Sequence, residues 1–274
     1  MNDWIPTLTV LSVSFFTASS LAAVPYADAV ISYTPGTTAV PGYQNPDRAL
    51  GEPSRVTPFF GPANADVTPF NPPWPNSQLV SVGTGGSITL HLGEVVRHDP
   101  SHPFGVDFSI FGNNGFRVLD YNLPEANWTT DGQLFNFDPP GSSTVWVSEN
   151  NKDFFQLVPP PGAMATVDGL FPTEGHGSFL KPMDPILGSP AFNGLDLPGI
   201  QKLYNGSAGG AGFDLSWAQA LDGTPVKLDG IEYLRVDVLD GKVEIDGVAV
   251  VPEPQWMALL AVGGLLLTCS RKQA

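Results

Sequence analysis

Chain breakers are what most restrict this sequence. Glycine and proline number 30 and 28 among 274 residues, and they fall throughout the chain rather than in one tract. Proline removes a backbone donor and clashes with the preceding helical turn, and glycine loses the most entropy on ordering, so a helical bundle is excluded. Their share, about one residue in five, stays below the roughly 25–30% of low-complexity chains. With 42% apolar and 11% aromatic residues, the chain is also too apolar for a disordered acidic tail. What suits these breakers is a folded domain with many turns and long loops. The length allows one large β domain or two small ones, and a core large enough to need no disulfide staples.

Acidic residues number 27 against 12 basic ones, a formal net charge of −15. Such an excess repels phosphate, which argues against nucleic acid as partner and against direct docking on anionic lipid. Cys269 is the single cysteine, so neither an intramolecular disulfide nor a Cys-rich zinc site can form.

Between the breakers lie short runs of β-forming residues: Ala29–Tyr33, Gln78–Val82, Ser87–Leu92, Val106–Phe111, Thr144–Ser148, Phe154–Val158, Ile231–Val238 and Val243–Val250. Alternation marks several as half-buried strands. Val106, Phe108 and Ile110 share one face, with Asp107 and Ser109 on the other. Val145 and Val147 oppose Trp146, and Leu234, Val236 and Val238 oppose Arg235 and Asp237. Asp240-Gly241 between the last two runs signals a hairpin. Long loops are expected over Pro53–Asn76 and Pro159–Leu197, a flexible one over Asn205–Gly212, and a short helix near Ser216–Leu221. The pattern predicts an all-β chain: a single antiparallel β-sandwich over residues 23–250, of jelly-roll type.

Both ends read as sorting signals. Residues 1–22 carry an apolar centre and small residues at Ser20 and Ala22, the pattern of a secretory signal peptide, though Asp3 stands where a basic residue is usual. Residues 251–274 begin with Val251-Pro252-Glu253-Pro254, continue in an apolar run from Trp256 to Cys269, and close with Ser270, Arg271 and Lys272. As a short hydrophobic helix, 256–270 would span about 22 Å, with Arg271 and Lys272 held on the cytoplasmic side and the rest of the chain outside. The charges of the two ends cancel, so the whole −15 belongs to the region between them.

This tripartite tail resembles the PEP-CTERM sorting signal of Gram-negative bacteria: Pro252-Glu253-Pro254, one apolar helix and a basic end. The resemblance implies recognition by an exosortase, transient passage through the inner membrane by 256–270, and cleavage near the Pro-Glu-Pro. The sorting residues would be Pro252, Glu253, Pro254, Arg271 and Lys272. The region between the ends resembles exported proteins that often bear this tail, through Tyr33-Thr34-Pro35-Gly36, Ala49-Leu50-Gly51-Glu52-Pro53, Val106-Asp107-Phe108-Ser109-Ile110-Phe111-Gly112-Asn113 and Gly209-Gly210-Ala211-Gly212-Phe213-Asp214-Leu215. The run from Val147 to Phe154 is similar to a hairpin of galactose-binding-like jelly rolls, with Glu149-Asn150-Asn151-Lys152 where that group usually has an Asp-Gly turn. What this implies is a non-enzymatic protein of the cell surface or exopolysaccharide matrix, with a structural or adhesive role. The alternatives are a carbohydrate-binding, lectin-like module and, less favoured, a glycan-active hydrolase.

Candidate chemistry is sparse. No Gly-x-Ser-x-Gly, His-Glu-x-x-His or Walker loop occurs. His98-Asp99-Pro100-Ser101-His102 spaces two imidazoles four apart, but Pro100 and Pro103 argue against the helix on which they would share a metal. Asp107, Asp214, Asp240 and Asp246 are the candidate ligands of a structural calcium, which favours several oxygen donors near turns. These carboxylates equally suit solvation or turn capping. Sugar recognition needs exposed aromatic platforms. Trp74 and Trp128, both in expected loops, are the candidates for contact with an exopolysaccharide or other surface glycan, whereas Trp146 and Trp217 read as core.

Overall fold

The computed structural model describes residues 24–58, 65–135, 141–163, 165–168 and 170–253. The expected signal peptide, Pro254, the expected helix over 256–270, Arg271 and Lys272 lie outside the described residues. Among those described, no helix is long and apolar enough to cross a membrane.

The chain is all-β, with strands β1 (Ala27–Thr34), β2 (Val56–Thr57), β3 (Ala65–Asp66), β4 (Val80–Gly83), β5 (Ser87–Val96), β6 (Phe108–Gly112), β7 (Phe116–Val118), β8 (Thr130–Leu134), β9 (Ser142–Ser148), β10 (Phe155–Leu157), β11 (Ala211–Phe213), β12 (Ala218–Gln219), β13 (Ile231–Asp240) and β14 (Lys242–Val250). Each run expected from alternation overlaps one of them. They form a six-stranded sheet in the order β1-β5-β13-β9-β10-β12, a four-stranded sheet β11-β6-β14-β4, and two small pairs, β2-β3 and β7-β8. All paired strands are antiparallel.

Register explains the core. In the six-stranded sheet Leu234 stands between Leu90 and Val147, and Val236 between Ile88 and Val145. These side chains point to one face and are buried with Val80, Val82, Phe108, Ile110, Val243, Ile245 and Phe213 of the four-stranded sheet in one apolar cluster. Phe108 and Phe213 stack at 5.3 Å with nearly parallel rings.

Asp240-Gly241 does not close a hairpin. β13 belongs to one sheet and β14 to the other, so Gly241, at φ 68°, turns a corner between sheets. β14 carries a second departure. Ile245 faces Gly112 and Gly247 faces Phe111, which makes Asp246 an extra residue in the ladder. This bulge shifts the phase of the alternation, so Val243 and Ile245 before it and Val248 and Val250 after it are all buried.

The region expected as loop after Pro159 builds a layer on the outer face of the four-stranded sheet. Phe111 of β6 meets Phe179 edge-on at 5.0 Å, and Ala208 and Ala249 are buried with them. Within this layer lies an unexpected helix, α1 (Leu197–Tyr204), begun by Asp196, whose side chain accepts from Gly199 N, and ended by Asn205 in the left-handed conformation. The expected helix near Ser216 is a single 3-10 turn, Leu215–Trp217. The glycine run before it is not flexible throughout, since Ala211 and Gly212 lie in β11. Gly210, at φ 82°, passes so close to Phe111 that a Cβ there would sit 2.8 Å from the ring.

Candidate functional site

The loop from β5 to β6 and the turn after β11 meet around one carboxylate. Asp107 directly precedes β6, where its N–H donates to Phe213 O at 2.8 Å and draws it into the sheet. Its side chain is fully buried, 0% exposed. Oδ1 accepts from His102 Nδ1 at 2.8 Å and from Asp99 N at 3.2 Å; Oδ2 accepts from His98 Nδ1 at 3.2 Å and from Leu215 N at 2.8 Å. Burial pushes this carboxyl up, opposed by the hydrogen bonds from Leu215, His102, Asp99 and His98. Its backbone carbonyl accepts from Val251 N at 2.9 Å, so the chain entering Pro252-Glu253 is tied to the same residue.

Asp214, a sequence-based candidate like Asp107, arrives at the same point. It caps the turn after β11 by accepting from Ser216 N, and its other contact is His98 Nδ1, at 3.2 Å from Oδ1. His98, Asp107 and Asp214 thus have ligand-competent atoms within 4.8 Å of one another. Asp107 Oδ1 is taken by His102 and Asp99, and Oδ2 by His98 and Leu215, so the arrangement stands as a closed hydrogen-bond network. Next to it, Asp99, His102 and Glu253 form a second such group. No helix carries the two histidines: they share a carboxylate acceptor.

Asp240 and Asp246 join neither group. Asp240 is exposed beside the corner at Gly241. Asp246 is buried at the bulge, where Oδ2 accepts from Ser54 N at 2.7 Å and Oδ1 from Ser54 Oγ at 2.8 Å. The four candidate calcium ligands therefore do not converge; two share an imidazole and the others stand apart.

Of the two loop tryptophans, Trp128 is not an exposed platform. Trp128 is 8% exposed; its ring packs edge-on against Phe70 and Tyr121, and Nε1 donates to Leu123 O at 3.0 Å. It pins its loop to the core, a correction to the reading of Trp128 as a sugar contact. Trp74 is half-buried in a Pro-rich segment whose carbonyl accepts from Tyr43 Oη at 2.9 Å.

Trp146, expected as core, is instead half-buried. It lies on the outer face of the six-stranded sheet, paired with Arg235, and lines a groove of about 790 Å³ with Phe154, Arg235, Asp237, Leu221 and Asp222. Arg235 Nε donates to Asp237 Oδ1 at 2.7 Å and its guanidinium lies 5.9 Å from the centre of the Phe154 ring. The signal was in the alternation: Trp146 opposes Val145 and Val147, the inward residues. The turn leading to Phe154 is held without Asp-Gly by Asn151 in the left-handed region and Asn150 Oδ1, which accepts from Lys152 N and Asp153 N.

Compared with models of known protein families and with curated protein sequences, the chain matches none.

Proposed function

We propose that this chain is an exported protein of the Gram-negative cell surface or exopolysaccharide matrix, folded as a jelly-roll-type β-sandwich and sorted through its Pro252-Glu253-Pro254 tail by an exosortase. Its role is structural or adhesive rather than enzymatic. The observation that carries this reading is how the domain closes. Val250 N donates to Pro25 O at 2.9 Å, and Tyr26 bridges Ala249. The first and last strands thus meet ahead of Pro252, and every described strand lies before the motif. Cleavage near Pro252 would therefore leave the sheets and their core intact. The shared apolar cluster of the two sheets supports the sandwich.

Replacing Pro252, Glu253 and Pro254 together by alanine is expected to leave the uncut chain in the inner membrane, read by fractionation and by its size on a gel. Normal processing and surface delivery of that variant would overturn the sorting assignment.

A second reading, a carbohydrate-binding module, is favoured by the groove at Trp146. Two aromatic faces suit the C–H face of a sugar, and the Arg235–Asp237 pair offers directional partners for hydroxyls. Here Trp146 and Phe154 join Trp74 as the expected contacts, in place of the buried Trp128. Trp146→Ala is expected to weaken retention on an acidic or neutral exopolysaccharide by at least about tenfold, roughly 1.4 kcal/mol, with Trp128→Ala acting only through stability. Retention unchanged in Trp146→Ala would remove the groove from consideration.

A further inference from the structure

We propose that Asp99, His102 and Glu253 form a binding site for a divalent cation of the zinc class, which clamps the Pro252-Glu253 segment onto the domain.

The starting point is an imidazole with nowhere to turn. The His102 side chain is 1% exposed. Its Nδ1 is spent on Asp107 Oδ1 at 2.8 Å, while Nε2 is buried with no hydrogen-bond partner among the described residues. A carboxylate on one ring nitrogen fixes that nitrogen as the donor and leaves the other with a lone pair. This is the arrangement that orients metal-binding histidines, with the outer carboxylate holding the ring and raising its basicity.

Two carboxylates stand beside this imidazole. Asp99 and Glu253 place an oxygen each so that all three ligand atoms lie within 4.8 Å of one another. Asp99 Oδ1 is held by Ser101 N and Ser101 Oγ at 2.8 and 2.6 Å, an Asx turn that positions its second oxygen. Glu253 Oε1 is buried without a partner among the described residues, and so is Oε1 of Glu94, which lines a cleft of about 250 Å³ with Glu253. Burial and then the charge of Glu253 push the Glu94 carboxyl up. Arg97 also lines the cleft but is exposed, and no ion pair joins it to either glutamate among the described residues. Unpartnered buried acceptors are costly unless a cation reaches them.

The donor set selects the metal. One imidazole nitrogen with two carboxylates suits zinc and its transition-metal neighbours. Calcium takes six to eight oxygens and seldom an imidazole, whereas this group pairs one imidazole with two carboxylates. The consequence is mechanical: Glu253 sits between the two prolines of the tail motif, so a bound ion would fasten that segment beside Asp107, to which Val251 is already tied. Binding by the purified chain does not depend on export or on an exosortase, so the test below leaves the sorting proposal untouched.

The full-length, untagged chain, stripped with a chelator, is titrated with Zn²⁺ in competition with a chromophoric chelator, and in parallel with Ca²⁺. One Zn²⁺ per chain is expected, with Ca²⁺ failing to compete. Glu253→Gln and Asp99→Asn are each expected to weaken Zn²⁺ binding by at least about tenfold, the range seen when even outer partners of a metal are lost. Asparagine keeps the Asx turn, and glutamine is isosteric, so these variants carry the test even where His102→Gln fails to fold. No stoichiometric binding, binding unchanged in both variants, or preference for Ca²⁺ would each overturn the proposal.

Discussion

Asp107→Ala is expected to be among the most damaging single substitutions in this domain. It removes an acceptor-only group that serves four donors, on His98, His102, Asp99 and Leu215. The donors are not equal. The His98 side chain is a third exposed and can turn to water, but the buried His102 and the Leu215 N–H cannot. Each buried donor left unmade costs roughly 1–3 kcal/mol, so the loss is expected at about 3–5 kcal/mol, a large part of the roughly 5–15 kcal/mol of a typical domain. Urea unfolding should show the midpoint falling steeply or the variant failing to accumulate in soluble form. Asp107→Asn is expected to lie between, because its amide offers one acceptor and turns a donor toward other donors. A midpoint for Asp107→Ala matching a loss under about 1 kcal/mol would show that the network is not what closes this end of the fold.

That network marks the boundary of what could be read along the chain. Alternation located the strands because one face of each is apolar: Leu234, Val236 and Val238 needed no partner to declare themselves. It also set Asp107 and Ser109 opposite Phe108, and implied a solvated face. The structure buries both, because the covering layer comes from segments around Phe171, Phe179 and Leu215, far along the chain. Nothing local announces such a cover. Trp146 failed in the opposite direction: its size suggested core, while its phase against Val145 and Val147 had already put it outside. Asp240-Gly241 had the chemistry of a tight turn, but a turn does not say whether the strands it joins pair with each other or with different sheets. The candidate site was legible in part. Asp107 and Asp214 were singled out as acids near turns, and His98 and His102 as a spaced pair; that all four share one point, with Val251 tied to it, depends on pairings more than a hundred residues apart. Glu253 was noticed only as part of a sorting motif, since its proximity to His102 is set by where β14 ends.

The bulge in β14 gives the second large effect, and it depends on pH. Asp246 is buried, and desolvation pushes its carboxyl up to about 7, despite the hydrogen bonds from Ser54 N and Oγ. No cation among the described residues offsets that burial. In the unfolded chain the same group ionises in the ordinary carboxylate range, near 4. Between those values the folded state binds a proton that the unfolded state has lost, so stability falls as pH rises. The contribution is fully present below about pH 4, declines through the window at up to about 1.4 kcal/mol per pH unit, and is gone above about pH 7. Desolvation moves Asp107, Glu94 and the half-buried Asp168 in the same direction, so the wild-type slope has several sources. Asp246→Asn separates them. Asparagine can accept from Ser54 N through Oδ1 and donate to Ser54 Oγ through Nδ2, keeping both contacts without a titrating proton. Urea midpoints measured at pH 5 and pH 8 should therefore fall less for Asp246→Asn than for the wild type, with the variant the more stable of the two at pH 8. Parallel pH dependence in the two proteins would mean that Asp246 enters the fold already ionised, and that the two bonds from Ser54 outweigh the loss of water at the bulge.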